Sequence, residues 1–567
     1  MKKKFMRFTS IFLCIVLLFS ATTVSSFAVE TNKTDVSVLD SVTSVFDGVG
    51  TSGNVGDDFM KVLYNMLNNI VEFLVKGICL LYPNNSNWKN IDEYNSDEIG
   101  FLAGRENYQT AAANSNCWSL GYASKSVVPT DISSGNYYLG RDLTVRKTSG
   151  VYDDMRVRAA VIDDNSGEGA VVFAAVDCLG VTSTDARTIR KAVLAYCEEQ
   201  GIKVSSINIT ATHSHSALDT QGVSTEFFYK LIASGVNNLL GKTTTNDALT
   251  YAESFKNYFI SQSVEAIKEA FADMESGSLY FSSIDCSEIV HDKRDLIAKE
   301  DIQEIASFCF VPDSGSEATY ISDIACHPTS FSAGNGLVAS DYIYYIDEYI
   351  KNENGGNFLM VAGALGQLSR SDVSVDETGM TEWEAMGAET KNLGYLFGEM
   401  IVDADYSTKL TPVLNVAHKE IFIEAENSIL ALAVEIQLVN NVAYTDGIKT
   451  IMPAEIGYIE FGNEIALALF PCELYPEVFY STEITNGTNW DGTEWQYGDL
   501  TNSVEGVTVY PVSLANDALG YAVTDNNFAF MGHIIGEEIA DETLSIGKHI
   551  ASHLISNYCE MIEAFAE

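Results

Sequence analysis

Three consecutive segments constrain this chain more than anything else in it. "GAVVFAAVD" (169–177) is a continuous apolar run, "DARTIRKAVLAYCEEQG" (185–201) has apolar residues at helical spacing and ends on glycine, and "SSINITAT" (205–212) reads again as a strand. Together they predict a strand–helix–strand unit. Such a unit brings its strands side by side in a sheet covered by helix. It also leaves His213 at the carboxyl end of a strand, where α/β folds gather their functional groups.

Further strands are expected at "TYISDIACH", "NFLMVAG", "VEIQLV", "IGYIEF" and "EIALALF". The last two are joined by Gly462-Asn463, a dipeptide suited to a hairpin turn. Helices are expected at 254–275, at 381–404 and at the C-terminus. The order mixes crossovers with hairpins, so the predicted fold class is α/β, with a mixed β-sheet core and surrounding helices. No internal repeat or low-complexity tract interrupts it.

The N-terminus reads as an export signal. "MKKKFMR" is basic, "FTSIFLCIVLLFS" is apolar, and "SSFA" before Val29 carries the small residues a signal peptidase needs, so residues 1–28 are expected to be removed. Retention as a membrane anchor is the alternative. The expected location is secreted or extracytoplasmic. Residues 29–112 form an N-terminal extension whose helix, 59–81, places Phe59, Leu63, Met66, Leu67, Ile70, Phe73, Leu74 and Ile78 at helical spacing. It serves either as a helix packed on the main domain or as a lid or lipid-facing element. The main domain is expected over 113–567.

Loss of the signal leaves 29 basic against 78 acidic side chains, a formal charge of −49. A surface this acidic repels phosphate backbones and anionic headgroups, which excludes nucleic acid as a partner. Nine cysteines remain, an odd number without a CxxC pair, so no disulfide framework is expected. Cys178, Cys309 and Cys326 lie in apolar runs and read as small core residues.

The chain has 8 histidines and places two of them two apart at the end of the 205–212 segment. On an extended segment His213 and His215 point to the same side, offering two imidazoles to one cation, or one to a metal and one to a substrate. Alone, an HxH is as readily structural. His327 in "DIACHPTSFSAGN" and Glu473 in "ALALFPCELYP" also follow strands, and each would be costly beside a core unless paired or metal-bound. Asp177 and Asp219 read as imidazole-orienting partners or as loop caps. His533 has no motif around it, and His549 and His553 read as a helix face. No Gly-x-Ser-x-Gly elbow is present, which disfavours a serine hydrolase.

These residues carry a family resemblance. "TATHSHSA", "ACHPTS", "FPCELYPEV" and "LANDALGYAVTDNNF", in this order, resemble the neutral, non-lysosomal ceramidases, zinc-dependent amidases that cleave ceramide to sphingosine and a fatty acid. "WSLGYASKSVVPTDI" resembles the opening strand of that family, and the likeness runs from about Cys117 to the C-terminus. The resemblance implies zinc bound by His213, His327, Glu473 and Tyr521, with His215 facing substrate as a catalytic imidazole. It implies catalytic or substrate-binding roles for Arg294 and for Ser369 in "GALGQLSRSD", with Tyr521 contributing to catalysis as well as to the metal. Only 46 residues follow Tyr521, so the likeness is to the catalytic domain only.

Gln367 stands where the family has an aspartate, and Arg370 where it has a proline. Glutamine offers a donor and an acceptor without charge, which favours a headgroup carrying its own acceptor over the diol of ceramide. The function expected is a secreted zinc amidase acting on ceramide or a related N-acyl lipid, in transient contact with lipid aggregates and without a stable protein partner. The alternatives are a metallohydrolase of another acyl amide or ester, and a non-catalytic lipid-binding protein of the same fold.

Overall fold

The computed structural model describes residues 89–566, apart from 113–116, 134–136, 141–145, 225–252, 293–302, 332–335, 372, 436–438, 448, 481–492 and 529–540. The signal segment and helix 59–81 lie outside the described residues. So do Arg294 and His533.

The strand–helix–strand unit forms as the sequence dictates. Strand Ala170–Val176 pairs in parallel with Val204–Ala211, joined by helix Ser183–Gln200, whose end is marked by Gly201 at φ 69°. Around it grows a nine-stranded sheet. Its spatial order is Asn357–Ala362, Thr319–Ile324, Glu304–Pro312, Glu275–Asp285, Trp118–Ser126, Arg156–Asp163, Ala170–Val176 and Val204–Ala211, with the short Thr408–Lys409 on Glu275–Asp285. Parallel pairs lie at its two ends and antiparallel pairs between them, so the sheet is mixed. A second, five-stranded sheet runs Leu414–Glu424, Thr450–Phe461, Ile465–Leu469 and Thr508–Val512, with Tyr444–Thr445 on Thr450–Phe461.

The two sheets pack face to face between outer layers of helix. Strand alternation sorts the residues. Ile162, Phe173, Ala175, Ile459, Phe461, Leu467 and Leu469 share the core between the sheets. Val161, Val172 and Ala174 face the other way, onto Ile189 and Val193 of helix Ser183–Gln200 and Phe259 and Ile267 of helix Glu253–Ala272. On the second sheet Ile456, Tyr458, Ala466 and Ala468 turn outward to Leu554, Ile555 and Tyr558 of helix Ile550–Ala566. Helices Tyr342–Asn354 and Glu382–Val402 cover strands 319–324 and 357–362 through Ile346, Leu393 and Phe397. Helix 382–402 opens on a capping box of Thr381 and Glu384.

The helices expected at 185–201, 254–275, 381–404 and the C-terminus form, and Gly462 and Asn463 adopt φ 73° and 57°, the turn their types favour. Of the expected strand "VEIQLV", Val434 and Glu435 belong instead to helix Ser428–Glu435, where Ala431, Leu432 and Val434 are buried, and 436–438 lie outside the described residues. A short apolar run has no period that separates strand from buried helix.

Candidate functional site

Four segments deliver donor atoms to one point. Strand 204–211 ends where Thr212 N donates to Val176 O (3.0 Å), and the chain then turns at His213, whose φ of 65° is left-handed. The HxH is therefore not extended. The two imidazoles still meet, Nε2 to Nε2 at 3.0 Å, but through this turn rather than by strand alternation. The backbone N–H of His215 donates to Pro328 O (3.2 Å), tying the HxH to the loop that follows strand 319–324. In that loop the backbone N–H of His327 donates to Leu368 O (3.0 Å). Beyond the second sheet, Glu473–Leu474 pairs in parallel with Tyr521–Ala522, setting Glu473 opposite Tyr521.

The tautomers follow from the backbone. Nδ1 of His213 lies 2.7 Å from Leu179 O, and Nδ1 of His327 lies 2.7 Å from Leu365 O. A carbonyl only accepts, so each Nδ1 carries the proton and each neutral ring presents a bare Nε2 inward. Those atoms face Glu473 Oε2 at 2.9 Å (His213) and 3.5 Å (His327), and Tyr521 Oη stands 3.5 Å from His327 Nε2. Glu473 Oε2 is buried and makes no hydrogen bond. Burial works to raise the Glu473 carboxyl, and it is positive charge at the facing Nε2 atoms of His213 and His327, a proton or a cation in its place, that holds it well below the usual carboxylate range.

Lone pairs converging this closely on a buried carboxylate need a proton or a cation among them. Four donors held tetrahedrally at zinc–ligand distances stand about 3.3–3.4 Å apart. Three separations among His213, His327, Glu473 and Tyr521, at 2.9–3.5 Å, lie about that edge, so this set could hold a metal ion. His213, His215 and His327, with ring nitrogens within 4.8 Å of one another, could also hold a metal ion. Exposure separates the two sets. His213 and His327 are both 1% exposed, whereas His215 is only half-buried and borders the open side.

Ser369 lies in the short strand Leu368–Arg370, opposite His291 of Val290–Asp292, directly after the carbonyl that holds His327. Gln367 precedes that carbonyl. Its Nε2 donates to Asp292 Oδ2 (3.3 Å) and Glu477 Oε2 (3.0 Å), while its buried Oε1 has no partner. The amide therefore has an acceptor left to offer and no donor, and two carboxylates stand beside it. This overturns the reading of Gln367 as a donor to an acceptor-bearing headgroup. Arg370 turns toward Glu389, 3.7 Å away, on helix 382–402. Asp292 and Glu477 went unremarked in the sequence. Glu477 lies in the short helix Pro476–Tyr480 that follows strand Glu473–Leu474, and no periodic spacing marked it.

Neither aspartate proposed to orient an imidazole is seen doing so. Asp177 forms a buried pair with Arg158 (2.7 Å), and Asp219 accepts the backbone N–H groups of Gln221, Gly222 and Ser224, the loop-cap role. His549 pairs with Glu426 at 2.6 Å on an exposed face. No disulfide joins the described cysteines, Cys178, Cys309 and Cys326 included.

Fold and donor cluster together define a two-sheet α/β protein with a metal-competent centre at its strand ends. More particularly, the chain has the fold of the neutral ceramidases. It is similar to the crystal structure of neutral ceramidase from Pseudomonas aeruginosa, with a TM-score of 0.57 and 16% identity over 80% of this chain and 76% of that one. It is equally similar, at a TM-score of 0.57 and 15% identity over the same shares, to a ceramidase complexed with C2. No protein-family model and no curated protein sequence matches the chain. No described helix is long and apolar enough to cross a membrane.

Proposed function

We infer that this chain is a zinc-dependent amidase, acting outside the cytoplasm on the amide bond of ceramide or a related N-acyl lipid. The observation that carries the reading is the convergence of His213 and His327 Nε2 on the buried Oε2 of Glu473, with Tyr521 Oη beside His327. The ceramidase-type fold supports it, because the four donors are the ones the sequence resemblance assigns.

Zinc in such a set supplies Lewis-acid activation of water and of the amide carbonyl near neutral pH. The rest falls to the chain's own groups. Leu179 O and Leu365 O fix the two rings so that each Nε2 stays bare and aimed inward. His215, at the open edge, is placed to donate Nε2–H to the oxygen that gains charge as the carbonyl is attacked. Tyr521 Oη adds a second polar group on the side of His327. The leaving nitrogen must depart as a neutral amine, so a proton has to reach it from His215 or Glu473. Ser369 and Arg294 are assigned to the substrate's polar end. Gln367 there offers Oε1 as an acceptor, which suits a hydroxyl or N–H on the headgroup rather than a carboxylate.

The test is mass-spectrometric screening of the purified protein against a panel of N-acyl lipids, with and without a chelator. Chelator-sensitive release of fatty acid is expected. Turnover that survives complete metal removal, or no turnover on any member by metal-loaded protein, refutes the reading. Hydrolysis confined to other acyl amides or esters would keep the chemistry and replace the substrate.

A further inference from the structure

We propose that Val151, Tyr152, Met380 and Trp383 form a docking face for a zwitterionic lipid surface of the phosphatidylcholine type, set beside the site. The proposal rests on the N-acyl lipid reading for its purpose. Its geometry stands independently of that reading.

These four residues are 41%, 42%, 45% and 37% exposed, and they make up four of the seven exposed large apolar side chains among the described residues. They are brought together from two elements. Tyr152 lies against helix 382–402 so closely that a Cβ on Gly387 would come within 2.1 Å of its hydroxyl. Trp383 is one turn from Gly387 on the same side of that helix, and Met380 lies just before the Thr381 cap. Val151 belongs to the short strand Gly150–Val151, paired in parallel with Leu337–Val338.

The face is continuous with both histidine loops. The Tyr152 ring stacks on Phe331, four residues beyond His327, with centroids 4.4 Å apart and planes at 26°. Tyr152 N donates to Val338 O (2.8 Å), and the next residue, Ala339, exchanges hydrogen bonds with the HxH loop. Its N–H donates to Ser216 O (2.9 Å) and its carbonyl accepts from Ser214 Oγ (3.1 Å). The segment that carries Tyr152 is therefore tied through Val338 and Ala339 to the loop that carries His213 and His215.

Charge selects the kind of surface. Asp376, Glu377, Glu382 and Glu384 flank Met380 and Trp383, and the bordering cations Arg370 and Lys391 are paired with Glu389 (3.7 Å) and Glu348 (3.0 Å). An anionic surface is repelled there, on a chain of net charge −45. A phosphatidylcholine surface instead presents quaternary ammonium groups outermost, which aromatic faces and carboxylates both attract. Trp and Tyr also favour the headgroup level of a bilayer.

The experiment is cosedimentation of the full chain with phosphatidylcholine and with phosphatidylglycerol vesicles, followed by tryptophan emission, for the wild type, Trp383→Ser and Met380→Ser. Both side chains are exposed and lie outside the proposed site, so the variants should fold and turn over a short, soluble N-acyl substrate as the wild type does. Wild type should bind phosphatidylcholine vesicles with a blue-shifted emission, weakened roughly tenfold or more by either change. No binding, equal binding by both variants, or preference for phosphatidylglycerol overturns the proposal. A wild-type dimer dissolved by Trp383→Ser assigns the face to a second copy instead. Vesicle binding that persists in a protein with no amidase activity would sink the functional reading and leave the docking face standing.

Discussion

Replacing His215 by alanine separates the two donor sets that the geometry allows. His215 Nε2 lies 3.0 Å from His213 Nε2, while His213 and His327 approach Glu473 Oε2 at 2.9 and 3.5 Å. His215 is also the half-buried member, so truncation removes little packing and should cost no more than about 1 kcal/mol of stability. If His215 stabilises charge on the reacting carbonyl, its loss removes one transition-state donor. Such a loss costs about 3–4 kcal/mol, a fall in kcat on the order of a hundred- to a thousandfold. Zinc content should remain at one per chain. The assay pairs elemental analysis of gel-filtered protein with kcat on a soluble N-acyl substrate, and a urea melt confirms that the variant is folded. A folded His215→Ala that has lost its metal would refute the assignment and make the three histidines the ligand set.

Three other predictions follow from the same geometry. His213→Ala and His327→Ala each remove a ring whose Nε2 is aimed by a backbone carbonyl, so both should lose zinc and turnover together; full metal content in both would contradict the site. His418 is half-buried, with its Nε2 2.7 Å from Ser206 Oγ, and desolvation, its largest influence, holds its imidazole down to about 4. The unfolded chain takes up that proton near pH 6.5 and the folded chain does not, so the stability is present above about 6.5 and about 3 kcal/mol is lost as pH falls to 4. His418→Gln should flatten that part of the pH dependence in urea melts, and an unchanged slope would count against it. Gln367→Asp sets a third carboxylate beside Asp292 and Glu477 and removes both amide hydrogen bonds, so it should lower stability at pH 7 by about 2–3 kcal/mol, recovering in part at pH 5; a urea midpoint equal to wild type would refute this.

What could be read in the sequence was what repeats or stands out locally. The 169–212 unit announces itself because a buried parallel strand is an unbroken apolar run and its crossover helix carries a clean period. Strand Glu275–Asp285 did not, because "ESGSLYFSSID" buries alternate residues and fills the rest with serine, a pattern equally suited to a loop. The 11-residue Leu414–Glu424 escaped for a related reason: its second half turns His418, Lys419, Glu420 and Phe422 at least partly outward. The second sheet and the face-to-face packing were therefore invisible, although both of its hairpin strands were found. At the site the donors were legible by type and position. The partners of Gln367 were not legible, because Asp292 lies 75 positions before it and Glu477 lies 110 after it.

That asymmetry has a physical source in how the site is held. His213, His327, Glu473 and Tyr521 are aligned largely by main chain, and the stitches run between loops far apart in sequence. Asn516 N donates to Ile209 O (2.7 Å), Ser513 N to Ala362 O (2.7 Å), Gly366 N to Leu474 O (2.9 Å) and Glu473 N to Gly520 O (2.8 Å). Leu514 and Asn516 take φ of 53° and 63° to allow this path, a strain that the surrounding hydrogen bonds must offset. Asp517 adds a side-chain stitch. Its Oδ1 accepts Ser183 N (2.9 Å) at the start of helix 183–200, where Thr182 supplies no side-chain cap. One carboxylate thus ends the helix that follows Leu179, whose carbonyl aims His213, and anchors the loop that carries Tyr521. A backbone bond leaves no mark on residue type, so the frame that gives this site its geometry is silent in the sequence, while the few side chains it presents are not.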